Sequence, residues 1–148
     1  MTTIFFSWQS DLPNKTNRNL IENSIKLALK KMNQDSPYSL ITEIDRDTKG
    51  VLGSPDIVDS ILTKIDKCSL FIADISIINS SLNGKRTPNP NVLFELGYAV
   101  KCLGWDRVIC VFNSDFGDVS ELPFDLRNRR ILTYETSNIS ETRKKLAD

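Results

Sequence analysis

The sequence predicts an α/β fold, an open, mostly parallel, doubly wound sheet, and three observations carry that expectation. Short β-branched and aromatic runs recur along the chain, beginning with TIFFS at Thr3, and stretches with apolar residues at helical spacing lie between them. The run CSLFIADI from Cys68 is nearly continuously apolar, as a parallel strand buried on both faces must be. Right-handed crossovers leave few packings for five such strands, and the flavodoxin-like order 2-1-3-4-5 is the one expected.

Taken in order, Thr3–Ser7 is the first strand, and the polar loop WQSDLPNKTN follows it. Thr16 or Asn17 is the expected cap of an amphipathic helix over Arg18–Met32, with Leu20, Ile21, Ser24, Ile25, Ala28, Leu29 and Met32 on one face. Loops at the carboxyl ends of strands bind ligands in open α/β sheets, so Trp8 is either a stacking surface for a ring or a cover for the sheet edge. Ser39–Ile44 is the second strand. Beyond it Asp45, Arg46 and Asp47 lead into a glycine-containing loop with charged groups to use. Ser54 and Pro55 are read as a cap and first turn, with Asp56–Lys67 a helix that turns Ile57, Val58, Ile61, Leu62 and Ile65 inward. Cys68–Ile75 is the central strand and places Asp74 at its carboxyl end. A long polar connection, SIINSSLNGKRTPNP, comes next; long irregular loops in compact domains are more often functional than idle. Arg107–Phe112 is the fourth strand, Ser120–Leu126 a short helix, Arg130–Tyr134 the fifth strand and Ser137–Ala147 the last helix.

The stretch Asn89–Gly104, NPNVLFELGYAVKCLG, organises the rest. Asn89 accepts from orphan N–H groups while Pro90 occupies the first helical position, where no donor is needed. At about 100° per residue, Val92, Leu93, Leu96, Ala99, Val100 and Leu103 form one stripe, and Glu95 lies at its edge. A carboxylate half covered by protein interacts strongly with a developing positive charge, which suits a catalytic acid; the bland alternative is a structural ion pair. Gly97, inside the helix, costs about 1 kcal/mol relative to alanine and suggests a close approach by backbone or ligand.

Composition narrows the function. At 148 residues the chain is one domain with an adequate core. Lys plus Arg and Asp plus Glu are equal at 19 each, which provides no net charge to attract nucleic acid or an anionic membrane. The three cysteines lack CxxC spacing and read as reduced core thiols of a cytoplasmic protein. With no histidine, Ser-His and Cys-His nucleophile pairs are excluded. No GxGxxG follows the first strand and no GxxxxGK[ST] occurs, so neither a Rossmann site nor a P-loop is supported.

Four segments, IFFSWQSDLP, DRDTKGVLGSPDI, FIADIS and TPNPNVLFELGYA, occur in an order that resembles the bacterial TIR-like family, relatives of Toll/interleukin-1 receptor domains that serve as antiphage effectors. The resemblance spans nearly the whole chain, and the Phe-Trp box of animal TIR domains is missing. It implies a single TIR-like domain over residues 1–148, excised from the N-terminal part of a longer protein. Arg46 and Asp47 with Gly50 and Gly53 are similar to that family's BB loop, and Glu95 matches its catalytic glutamate. Members with that glutamate cleave NAD at the nicotinamide bond. NAD is therefore the implied substrate, with no resident cofactor and no metal. Head-to-tail self-association is the implied mode of activation, triggered by a sensor domain or a nucleotide second messenger. The chemistry is compatible: nicotinamide leaves as a neutral amide, so one carboxylate near the ribose suffices. Phe5 and Trp8 offer apolar surface to a ring, and Ser7, Asp45, Arg46, Asp74 and Asn91 complete the substrate-binding set. FELGYA also resembles the helix of nucleoside 2-deoxyribosyltransferases, where a glutamate attacks the same carbon. A non-enzymatic assembly module using Phe94 and Tyr98 is the third reading.

Overall fold

The aromatic and β-branched residues of Thr2–Ser7 form β1, and strand alternation sends Phe5 and Ser7 to one face of the sheet while Ile4 and Phe6 enter the other. The computed structural model describes residues 2–35, 42–45, 53 and 56–148. Within them β1 pairs with β2 (Thr42–Asp45) and β3 (Leu70–Asp74), β3 with β4 (Val108–Asn113), and β4 with β5 (Ile131–Tyr134). Every pair is parallel, and the order across the sheet is β2-β1-β3-β4-β5. The architecture is the flavodoxin-like α/β arrangement with both faces covered.

One face carries α1 (Arg18–Asp35) and α5 (Ile139–Ala147), whose apolar residues pack with Ile4, Phe6, Ile72 and Val111. The other carries α2 (Ile57–Lys67), α3 (Pro90–Leu103) and the short α4 (Phe124–Arg127), packed on Phe5, Phe71, Ala73, Cys110 and Phe112. In α3 the expected stripe is the buried one: Val92, Leu96 and Ala99 are buried, and Leu93, Val100 and Leu103 are partly so. Asn89 caps α3 by accepting from Asn91 N at 2.8 Å and Val92 N at 3.2 Å. Gly104 ends the helix at φ 78°, a conformation that glycine adopts without strain.

Several boundaries and faces differ from the sequence expectation. Cys68 is not in the central strand; it terminates α2, its backbone N–H and its thiol both bonding Ile65 O. α2 is capped by Asp56, which accepts from Asp59 N, and its inward face starts only at Ile61. Ile57 and Val58 are 61% and 52% exposed. The helix expected over Ser120–Leu126 is divided, because Leu122 before Pro123 is held extended and ends the 3-10 turn Val119–Glu121. Met32 is 54% exposed although it lies on the apolar face of α1. Cys102 is exposed on the flank of α3 and is not a core thiol. Among the described residues, and apart from its own helical turn, nothing lies within 4 Å of where a Gly97 Cβ would stand, so none of them makes the close approach expected there. The connection after β3 is an organised Ω-like loop. Ile77 at its start is buried, Ile78 N bonds Thr87 O, and Asn79 bonds both Lys85 O and Thr87 N. Arg46, Asp47 and most of the following glycine-containing loop lie outside the described residues, as does Ser54-Pro55.

Candidate active site

Ser7 stands at the last position of β1 and faces the α3 side of the sheet, as its place in the alternation with Phe5 requires. Its hydroxyl donates to Glu95 Oε2 at 2.7 Å. Ser7 is buried and Glu95 half-buried, so this charge-assisted bond is partly shielded from water. The pair lies at a cleft of about 210 Å³ bounded by Phe5, Phe6, Ser7, Trp8, Gln9 and Ser10 on the β1 side and by Asn89, Asn91 and Glu95 on the α3 side. The cleft opens at the carboxyl ends of the strands, where β1 and β3 are neighbours and the chain reverses its direction of winding.

The other predicted site residues divide. Trp8 and Asn91 reach the cleft, but one face of Trp8 is already covered by the Arg18 guanidinium, 3.6 Å from the ring centroid. Phe5 borders the cleft as part of a closed apolar floor: it is 1% exposed and its ring is stacked on Phe71 with centroids 5.7 Å apart. Asp74 is not a cleft residue. It is wholly buried and accepts from Gln9 Nε2 at 2.8 Å, Asn17 Nδ2 at 3.0 Å and Ser76 N at 3.1 Å. Of Asp45 the backbone is described, in register with Phe5 across the β1–β2 ladder; Arg46 is outside the described residues.

Behind the cleft a buried polar network ties the strand ends together. Asn17, one of the two residues expected to cap α1, turns inward: its amide donates to Asp74 and to Ser76 Oγ, and its side-chain carbonyl accepts from Asn113 Nδ2 at 3.1 Å. Ser76 Oγ accepts from Asn113 N at 2.8 Å, and the Tyr134 hydroxyl donates to Thr16 O at 2.7 Å. Burial, and after it the negative Asp74, raises the Tyr134 phenol well above its ordinary range. On the outer flank of α3, Phe94 is 59% exposed while the Tyr98 hydroxyl donates to both carboxylate oxygens of Asp66 at 2.9 Å. That hydrogen bond is the main reason the Tyr98 phenol is raised.

Gln9, Ser10 and Asn89 were not among the predicted contacts. The signal for the first two is their position, directly after a strand's carboxyl end; Asn89 was read only as a cap. A wider groove of about 730 Å³ lies between β5 and α5, but its polar groups do not converge on a half-buried carboxylate. Among the described residues no three Cys, Asp or Glu side chains gather to hold a metal ion, and no helix is long and apolar enough to cross a membrane. Comparison with known proteins finds no matching family model and no matching curated protein.

Proposed function

We propose that this cleft hydrolyses the nicotinamide–ribose bond of NAD, with Glu95 as the catalytic carboxylate of a bacterial TIR-like antiphage effector. The observation that carries the reading is the bond from the buried Ser7 hydroxyl to Glu95 Oε2, at 2.7 Å, which holds one orientation of the carboxylate beside the cleft. The sheet order and a carboxylate-bearing helix following the third strand are what a TIR-like domain needs, and they support the finer assignment.

In the reaction the C1′–N bond breaks and its electron pair leaves with nicotinamide as a neutral amide. The ribose becomes oxocarbenium-like, and the Glu95 carboxylate stabilises that charge. Water then adds to C1′ and gives up a proton, for which Glu95 is the nearest base. The products are nicotinamide, ADP-ribose and one proton. Ser7 orients Glu95, Trp8 and Asn91 border the bound substrate, and Phe5 closes the floor. Asp45 and Arg46 stay assigned to the substrate through the resemblance. Asp74 acts from behind the cleft, through Gln9. Self-association covers the open side of the cleft and strengthens the electrostatic effect by excluding water, so specific activity rises with protein concentration.

The test is nicotinamide release by chromatography across a concentration series, with Glu95→Gln as the control. The expected loss in Glu95→Gln is about 10²–10³-fold, the scale of removing one preorganised electrostatic group. Equal rates in the two proteins would remove Glu95 from the mechanism. Transfer of deoxyribose between a deoxynucleoside and a free base, without NAD cleavage, would assign the chain to the deoxyribosyltransferase reading.

A further inference from the structure

The end of the loop from Trp8 to Asn17 is fixed in the buried network through Thr16 and Asn17, and beside the cleft the loop is held at two further points that differ in kind. Beneath the cleft, Gln9 is buried; its amide donates to Asp74 Oδ2 at 2.8 Å and its carbonyl accepts from Leu12 N at 2.9 Å. At the rim, Asn89 Nδ2 donates to Asp11 Oδ2 at 2.7 Å, a bond from the first turn of α3 to an exposed side chain. The cleft lies between the two anchors, with Ser7 to Ser10 on the loop side and Asn89, Asn91 and Glu95 on the helix side. Opening the buried anchor leaves amide and carboxylate groups unsatisfied away from water, whereas water replaces the rim bond directly. Of the two, only the rim bond can break and re-form while the loop stays folded.

We propose that the Asp11–Asn89 hydrogen bond is a latch across the mouth of the cleft, and that Asp11 is a positioning residue for substrate binding. Asn89 is built for the task because its two amide ends serve different partners. Oδ1 accepts from Asn91 N and Val92 N, and this leaves Nδ2 for the loop. The group that fixes the first turn of α3, and through it the setting of Glu95, thus also registers the opposite wall. The ligand named for the cleft rests on the NAD reading above; the latch does not.

The test exchanges the two groups. Asn89→Asp keeps a good helix cap but sets a carboxylate against Asp11, while Asp11→Asn keeps an acceptor for Asn89. Asp11→Asn/Asn89→Asp restores the bond with its polarity reversed. The chain has two tryptophans, so in a Trp105→Phe background acrylamide quenching reports Trp8 alone and needs no ligand. Quenching is expected to rise in Asn89→Asp, to stay at the parent value in Asp11→Asn, and to return to it in the exchanged pair. In the same proteins KM for NAD rises about ten-fold in Asn89→Asp, the scale of one charge-assisted hydrogen bond, and returns to the parent value in the exchanged pair. Unaltered quenching in Asn89→Asp, or an exchanged pair that fails to recover, overturns the latch. Quenching that follows the expected pattern in proteins that release no nicotinamide upholds the latch and removes the NAD reading.

Discussion

Glu95 and Ser7 show how a residue's neighbours decide its use. A glutamate on an exposed helical flank forms a weak, screened ion pair, but Glu95 is half-buried and receives a buried hydroxyl at 2.7 Å. Four residues further on, α3 presents Ala99 to the core, while Gly97 between them looks into open space. Among the described residues Gly97 therefore meets no packing need that would offset the entropic penalty of glycine in a helix. Gly97→Ala is expected to stabilise the protein by about 1 kcal/mol, read as a higher midpoint in urea at unchanged slope. A loss of stability would mean that the residue meets something outside the described contacts.

At the scale of elements, the carboxyl ends of β1, β3 and β4 and the start of α1 are joined by side chains as well as by the sheet ladder. Asp74 accepts from the loop after β1, from Asn17 before α1 and from the backbone after β3. Asn113 at the end of β4 completes the network through Asn17 and Ser76. Truncation of Asp74 leaves buried donors on three segments without acceptors. Asp74→Ala is expected to cost about 3 kcal/mol or more, at roughly 1–3 kcal/mol per stranded group. Hydrogen exchange should also quicken in residues 8–17 before it does in β4. Exchange that changes equally everywhere would indicate a general packing loss instead. Beyond Ser76, which belongs to this network, the Ω-like loop after β3 has braces of its own, from Asn79 and from Arg86 donating to Asn79 O and Leu82 O.

For the whole molecule, the two faces of the sheet have distinct alkaline behaviour in common: each buries a group that resists ionisation. Burial pushes the Cys110 thiol up from about 9 to about 11, and Tyr134 on the opposite face is raised in the same direction. Between those values the unfolded chain loses its Cys110 proton and the folded one keeps it. The unfolded state then binds fewer protons, and stability falls as pH rises. A two-unit shift corresponds to about 2–3 kcal/mol when the folded group also ionises. The melting temperature should decline from about pH 9 upward, with Tyr134 extending the decline, and Cys110→Ala should make it shallower. An identical slope in the variant would remove the thiol as a cause. Native-state thiol labelling follows the same logic: exposed Cys102 reacts first, Cys68 and Cys110 only on unfolding.

The sequence by itself determined the parallel α/β alternation, the cap and apolar stripe of α3, and the prominence of Glu95. Each of these is local: Asn89-Pro90 starts a helix through backbone groups within one turn, and a period of 3.6 or 2 is written in adjacent residues. Tertiary structure decided the partners. Asn17 has the side chain of a cap, yet a buried carboxylate 57 positions away takes its amide, because an unsatisfied group in the interior costs more than an uncapped helix end in water. Asp74 is at a strand end, like a ligand contact, yet three donors enclose it. Ile57 and Val58 have the right spacing for the core, but α2 lies against the sheet only from Ile61 onward. Periodicity specifies which side of an element is apolar; how far along that element the neighbouring surface extends, and which polar group meets which, depend on contacts between segments distant in the chain.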